Sequence, residues 1–196
     1  TEFSPNAKVF VLVHKMDLVR EGRKEQLFEK RKAQLEEKAG NFKVTAFPTS
    51  IWEVTLYKAW TEIVASLTYN MDKLKESLAK YVKACRAEEV ILFEKDTFLL
   101  ICYQSNKEVA DDQRFEKISH IIKKFKLSCM TAQARFRSIF IQTKNLTIYL
   151  DEFTQSTCIM VIASDRNVNV ELLRLNARLS RDTFEEIING SGRNSN

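Results

Sequence analysis

Glycine is nearly missing from this chain. There are four, and only Gly22 and Gly40 come before residue 190. A phosphate-cradling loop of the form G-x-x-x-x-G-K-[ST] turns backbone N–H groups onto phosphate oxygens and needs its glycines in one tight turn. No such segment occurs, so these residues have no loop of that kind for a nucleotide's phosphates. The four cysteines (Cys85, Cys102, Cys129 and Cys158) are widely spaced without a C-x-x-C, and Cys102 and Cys158 sit inside apolar runs. With two histidines in the whole chain, no metal site is expected. Buried free thiols in a reducing compartment are the reading. No apolar run approaches the roughly 18 residues of a membrane-spanning helix, and the layout of a signal peptide is lacking. Direct membrane insertion is therefore not expected. Charge is not one-sided either: the net value is +5. Basic residues are not interleaved with aromatics in the manner of a nucleic-acid surface, so nucleic acid is not expected as a partner.

What is present is an ordinary globular composition, 44% hydrophobic and 29% charged over 196 residues. That length suits one large domain or two small ones. Val9–Val13 is a continuous apolar run, the pattern of a strand buried on both faces inside a parallel α/β sheet. It stops at His14-Lys15-Met16-Asp17. Ligands of open α/β sheets sit just past the carboxyl ends of strands, where these polar side chains stand. Residues 21–39 are dense in Lys, Glu, Arg and Gln, with Leu27, Phe28 and Leu35 as a thin apolar stripe, and read as an exposed helix ending at Gly40-Asn41. Residues 43–47 alternate as a strand, Pro48-Thr49-Ser50 breaks it, and residues 52–67 read as a helix with Leu56, Trp60, Ile63, Val64 and Leu67 on one face. Strand, helix, strand, helix fits the last part of a doubly wound sheet, too little to cover both of its faces.

At Asn70, a candidate helix cap, the pattern restarts. Met71, Leu74, Leu78, Tyr81, Val82 and Cys85 share a helical face. An apolar run over 90–93 and another over 98–103 flank the turn Glu94-Lys95-Asp96-Thr97 as a hairpin. A helix carries Phe115, Ile118, Ile121, Ile122 and Phe125. Three strands follow over 135–142, 146–150 and 158–163, then a last helix with Leu172, Leu173, Leu179, Phe184, Ile187 and Ile188. The order is αββαβββα with five antiparallel strands, apolar on both faces. Residues 114–126 hold five bases and one acid, a solvated helix face or a patch for an acidic partner or membrane surface. The organisation expected is 1–69, 70–189 and a polar, disordered tail 190–196.

Longer motifs then carry a resemblance. Ser4-Pro5-Asn6-Ala7-Lys8, His14-Lys15-Met16-Asp17-Leu18-Val19, Thr49-Ser50-Ile51-Trp52 and Leu56-Tyr57-Lys58-Ala59-Trp60 resemble Rag/Gtr small GTPases. So do Leu92-Phe93-Glu94, Arg114-Phe115-Glu116-Lys117-Ile118-Ser119 and Phe125-Lys126-Leu127-Ser128-Cys129. Trp52 and Trp60 place the likeness with the A/B-type branch. It covers nearly the whole chain. The resemblance implies an α/β architecture: the C-terminal remnant of a P-loop GTPase domain, then an α+β roadblock-type domain. The chain departs from the family in having no phosphate loop, switch segments or metal-binding acid before His14, as though such a GTPase were cut just ahead of its last strands.

By position, Asp17 would accept from the guanine N1–H and exocyclic amine and Lys15 would pack against the base. His14 stands where most GTPases have Asn. Ile51 would donate its backbone N–H to the guanine O6, with Ser50 helping to orient Asp17. Ser50 with Glu53 also fits a capping box, and Asp17 could simply cap a turn. No catalytic residue is assigned. GTP or GDP with Mg²⁺ belongs to the intact protein, a GTP hydrolase; the chain by itself should bind neither and be inactive. The resemblance further implies a heterodimer with a C/D-type subunit through Phe115, Ile118, Ile122, Phe125, Phe136, Ser138 and Phe140. It implies docking on a lipid-anchored EGO/Ragulator-like scaffold, and amino-acid signalling to the TOR complex from the cytosolic face of the vacuole or lysosome. The alternative is a roadblock-type interaction module whose first 69 residues are a degenerate remnant with no nucleotide binding.

Overall fold

A computed structural model describes residues 8–40, 42–68, 70–106, 114–134, 136–164 and 168–189. The motif residues Ser4 to Ala7 and the tail 190–196 lie outside these. The chain divides into two compact units, 1–63 and 64–196.

In the first unit β1 (Val9–Val13) pairs in parallel with β2 (Val44–Pro48), from Val9 opposite Val44 to Val13 opposite Pro48. α1 (Glu21–Ala39) joins them, and α2 (Thr55–Leu67) follows, the division falling in its last turns. α1 ends where expected: Gly40 takes φ +59°, a left-handed conformation that a side chain would resist. β1 departs from the two-sided burial read in the sequence, since all five of its residues are only half-buried. The reason is its setting, a two-stranded sheet among the described residues. α1 has no fully buried side chain to lay over it. α2 begins three residues later than expected, at Thr55 rather than Trp52. The intervening residues form a closed turn: Ser50 N–H donates to Thr55 Oγ1 at 3.0 Å, and Trp52 N–H donates to Ser50 Oγ at 3.1 Å. The capping box does not form, because Glu53 gives its carboxylate to Lys24 at 3.3 Å. Hydrogen bonding to Glu21 raises the Lys24 pKa; desolvation works against it and Glu53 adds to it.

The second unit has the expected αββαβββα order and the roadblock-type architecture: α3 (Met71–Ala84), β3 (Glu89–Glu94), β4 (Leu100–Ser105), α4 (Arg114–Thr131), β5 (Ser138–Gln142), β6 (Thr147–Glu152), β7 (Thr157–Ala163) and α5 (Val170–Asn189). The five strands run antiparallel in the order β4-β3-β7-β6-β5. Register sorts their side chains. One face carries Val90, Leu92, Tyr149, Ile159 and Val161, packed with Leu74, Leu78, Tyr81 and Val82 of α3 and Leu173, Ala177 and Phe184 of α5. The other carries Glu89, Ile91, Phe93 and Tyr103. There α4 is seated by a two-pronged ion pair from Arg114 to Glu89, with the Phe115 ring 4.7 Å from that of Tyr103. Burial on both faces, read from the apolar strands, is thus satisfied by helices of the same unit.

Two strand starts differ from expectation. β4 opens at Leu100, not Phe98, and β5 at Ser138, with Arg135 outside the described residues. Phe98 has φ +51° and is buried as part of the turn. That turn is held by the Glu94 carboxylate, which accepts the Asp96 N–H at 3.1 Å and the Thr97 N–H at 2.7 Å. Desolvation works to raise the Glu94 pKa, but the Thr97 and Asp96 donors and the Lys126 charge outweigh it, so the net shift is downward. Asn70 caps α3 by position, though its side chain makes no cap bond. Cys85, Cys102 and Cys158 are buried and free, and Cys129 is partly covered.

Two measurements follow from these burials. By hydrogen exchange, β1 amides should exchange much faster than those of β7, which is buried at six of seven positions; equal protection would show that β1 has a full sheet around it. Alkaline pH should destabilise the second unit. Burial pushes the Cys102 and Cys158 thiols up to about 12 from 9.0. Below pH 9 both states hold these protons. Above it the unfolded chain sheds them while the folded chain keeps them, so stability falls as pH climbs from 9 toward 12. The urea midpoint should drop over that window, and less so in the double variant Cys102→Ala, Cys158→Ala.

Candidate functional site

The strand ends of the first unit converge on one residue. Thr49 N–H donates to the Val13 carbonyl at 2.9 Å, and Met16 N–H donates to the Thr49 carbonyl at 3.2 Å. The Thr49 hydroxyl lies 3.0 Å from His14 Nδ1 and 3.4 Å from the Val13 carbonyl. Thr49 and Ser50 are fully buried. They are thus pinned between the end of β2 and the segment that follows β1. Level strand ends make this possible: Val13 and Pro48 are the last paired residues, so both chains leave the sheet side by side.

After Val13 the chain turns sharply. Lys15 takes φ +64°, ψ +32°, and Met16–Leu18 forms one 3-10 turn with Asp17 at its centre. Met16 is buried and anchors the turn, while His14 and Lys15 are exposed and Asp17 is half-covered. Across the clip, Ile51 and Trp52 are 69% and 82% exposed. Among the described residues the Ile51 N–H has no hydrogen-bond partner. One corner therefore presents a carboxylate that only accepts, a cationic stem and a free backbone donor. Such a set suits a flat heterocycle with donors on one edge and a carbonyl on another. Ser50 does not reach for Asp17; its hydroxyl accepts the Trp52 N–H and holds the loop in shape.

Sequence reading missed Thr49, the residue that joins the two halves. The available signal was its place directly after a strand that ends level with β1. No group of three His, Cys, Asp or Glu side chains able to hold a metal ion comes together among the described residues.

The residues assigned to a dimer contact separate by burial. Phe115 and Ile122 are sunk within the unit, Ile118, Phe136 and Ser138 are half-covered, and Phe125 and Phe140 stand 48% and 41% exposed. The register also places Phe140 on the face of Tyr149, whereas Ile139 and Ile141 share the face of α4. Ile121, Leu127, Met130 and Ile141 are exposed apolar residues that had not been singled out for this surface. β5 is an edge strand. Phe136 precedes it and stacks edge-on against Phe98 at 6.3 Å and Phe125 at 6.0 Å.

Comparison with known proteins agrees with both units. Residues 1–122 match the family described as the Gtr1/RagA G protein conserved region. The chain is 44% identical to Ras-related GTP-binding protein A of Dictyostelium discoideum over 96% of its length and 62% of that protein's. It is 42% identical to Ras-related GTP-binding protein B of Rattus norvegicus, covering 94% of this chain and 49% of that protein. It is also 42% identical to GTP-binding protein gtr1 of Schizosaccharomyces pombe, over 93% of this chain and 60% of that protein. The chain thus spans between half and two-thirds of these relatives. Among solved structures, Myxococcus xanthus MglB superposes with a TM-score of 0.53 at 16% identity, covering 64% of this chain and 95% of that one, a likeness of fold. On the family match and these relatives, the chain belongs to the Gtr1/RagA family of Rag/Gtr small GTPases, A/B type.

Proposed function

We propose that this chain supplies the base-reading corner and the dimerising unit of a Rag/Gtr GTP-binding subunit. The observation that supports this is the Thr49 clip, which sets Lys15 and Asp17 beside Ser50 and Ile51. In this reading Asp17 accepts the guanine N1–H and exocyclic amine. Lys15 packs its stem along the base, and the Ile51 N–H donates to O6. His14 holds its side of the corner through Thr49. Ser50 acts through the loop that it closes. Phosphate contacts, Mg²⁺ and the positioning of water for GTP hydrolysis belong to the whole protein. The described residues bring together no group of three His, Cys, Asp or Glu side chains that could hold a metal ion.

The roadblock-type unit pairs with a C/D-type subunit by extending its sheet at β5, with α4 alongside. The exposed apolar residues on both elements support this: an edge strand that exposes Phe140 and Ile141, beside a helix that exposes Phe125, is a surface that association would dry. In the cell the pair would dock on a lipid-anchored EGO/Ragulator-like scaffold at the vacuolar or lysosomal surface and relay amino-acid supply to the TOR complex. Family membership supports that assignment.

Asp17→Asn tests the corner, in the full-length protein. An amide puts an N–H₂ where guanine also offers a donor, and hydrogen bonds to charged groups contribute about 1.5–3 kcal/mol each. GTP affinity should fall by about tenfold or more, while xanthosine triphosphate, with an oxygen in place of the amine, should gain. Unchanged GTP binding would leave His14 to Asp17 as a plain strand end and favour the interaction-module reading. The dimer is tested by Phe140→Asp and Ile141→Asp. Either buries an unpaired carboxylate in the joined sheet and should weaken pairing by about 2 kcal/mol or more. Sedimentation of each variant with a C/D-type partner reads this; pairing as tight as the parent's would place the interface elsewhere.

A further inference from the structure

The 3-10 turn carrying Asp17 has a second side. Leu18 follows Asp17 and is 77% exposed. With Val19 and Leu27 it floors a groove of about 580 Å³ between this turn and the first half of α1. Arg20, Arg23 and Lys30 stand around that floor, and all three are exposed. Arg23, Leu27 and Lys30 fall on one side of α1 by helical spacing. None of the three cations has a carboxylate partner among the described residues: the neighbouring Lys24 takes both Glu21 and Glu53.

A groove whose lining holds three unpaired cations, no carboxylate and one exposed leucine is complementary to a ligand that is both anionic and apolar. We propose that this groove is a docking site for an acidic peptide segment of a protein partner, one that sets leucine-like side chains into the Leu18–Leu27 floor and carboxylates against Arg20, Arg23 and Lys30. The charge pattern supports this occupant. A helix lying on a bilayer carries a broad apolar face and a polar face rich in Lys and Arg. α1 has no fully buried apolar face and interleaves Glu21, Glu25, Glu29, Glu36 and Glu37 with its bases. An anionic bilayer laid along it would meet those carboxylates, whereas a short peptide confined to the groove meets only the bases. The inference is independent of what the opposite side of the turn binds.

The test uses the full-length protein and a fluorescein-labelled peptide, Glu-Asp-Glu-Leu-Glu-Asp-Leu-Glu-Asp, with a second peptide in which both leucines are serine. The leucine peptide should bind, weaken as salt is raised, and on binding slow amide exchange across residues 18–30. The double variant Arg23→Glu, Lys30→Glu, exposed at both sites, should lose about tenfold or more in affinity through like-charge repulsion. Leu27→Ser should weaken the leucine peptide and leave the serine peptide unchanged. No binding, equal binding of the two peptides, or binding unaffected by the double variant would overturn the proposal. So would phosphatidylserine vesicles that float the parent protein but not the double variant while the peptide binds both alike.

Discussion

Thr49 spends three polar groups on one task. Its N–H, carbonyl and hydroxyl tie the end of β2 to Val13, His14 and Met16, segments separated by some 35 positions in the chain. Everything in the first unit that resembles a site depends on that tie. Without it, Lys15 to Asp17 and Ser50 to Trp52 would be two loops on neighbouring strands, each free to wander. A buried backbone group must find a partner or forfeit a few kcal/mol. Thr49 meets that requirement with bonds that cross from one loop to the other, so the cheapest way to satisfy its polar groups is also the arrangement that assembles the corner.

The two units place their order in different currencies. The roadblock-type unit has a core in which Tyr149, Phe153, Leu92 and Ile159 are wholly buried, with helices over both sheet faces. The first unit buries little: Met16, Ala59 and Ile63 are its only fully covered apolar side chains among the described residues. Hydrogen-bond geometry at the strand ends therefore does there what packing does in the second unit. Such a corner opens at low cost, because few apolar contacts are lost when it does.

The fold was legible wherever a side-chain period decided it. The unbroken apolar runs of β3 and β7 mark strands covered on both faces, and the helical spacing of Leu74, Leu78, Tyr81 and Val82 marks a helix with one buried face. The αββαβββα order follows from these alone. Boundaries were lost where a polar group overrides the period. The Glu94 carboxylate draws Phe98 into a left-handed turn and shortens β4 by two residues. The Ser50 hydroxyl closes a turn that delays α2 to Thr55. In the site, the residue types and spacing of His14, Lys15 and Asp17 were readable. Thr49 was not, because its role lies in which strand end it faces, and that is set by the parallel register of β1 and β2. The face of Phe140 was likewise hidden until the pairing with Tyr149 was known.

Arg114 shows how the second unit fixes the helix that its edge needs. Glu89 is buried in β3, and a carboxylate there is tolerable only when both oxygens are met. Arg114 meets them in two-pronged fashion, with its guanidinium 4.3 Å from the Phe115 ring centre and 5.4 Å from that of Tyr103. Such a pair adds little net stability compared with an apolar replacement, since desolvation consumes most of the attraction. What it does is exclude alternatives. A helix shifted by one residue would leave Glu89 charged, buried and alone. The pair therefore sets the start of α4, and through the 18-residue length of that helix it sets where Ile121, Phe125 and Met130 emerge. The exposed apolar surface near β5 is then a consequence of one buried charge at the opposite side of the sheet.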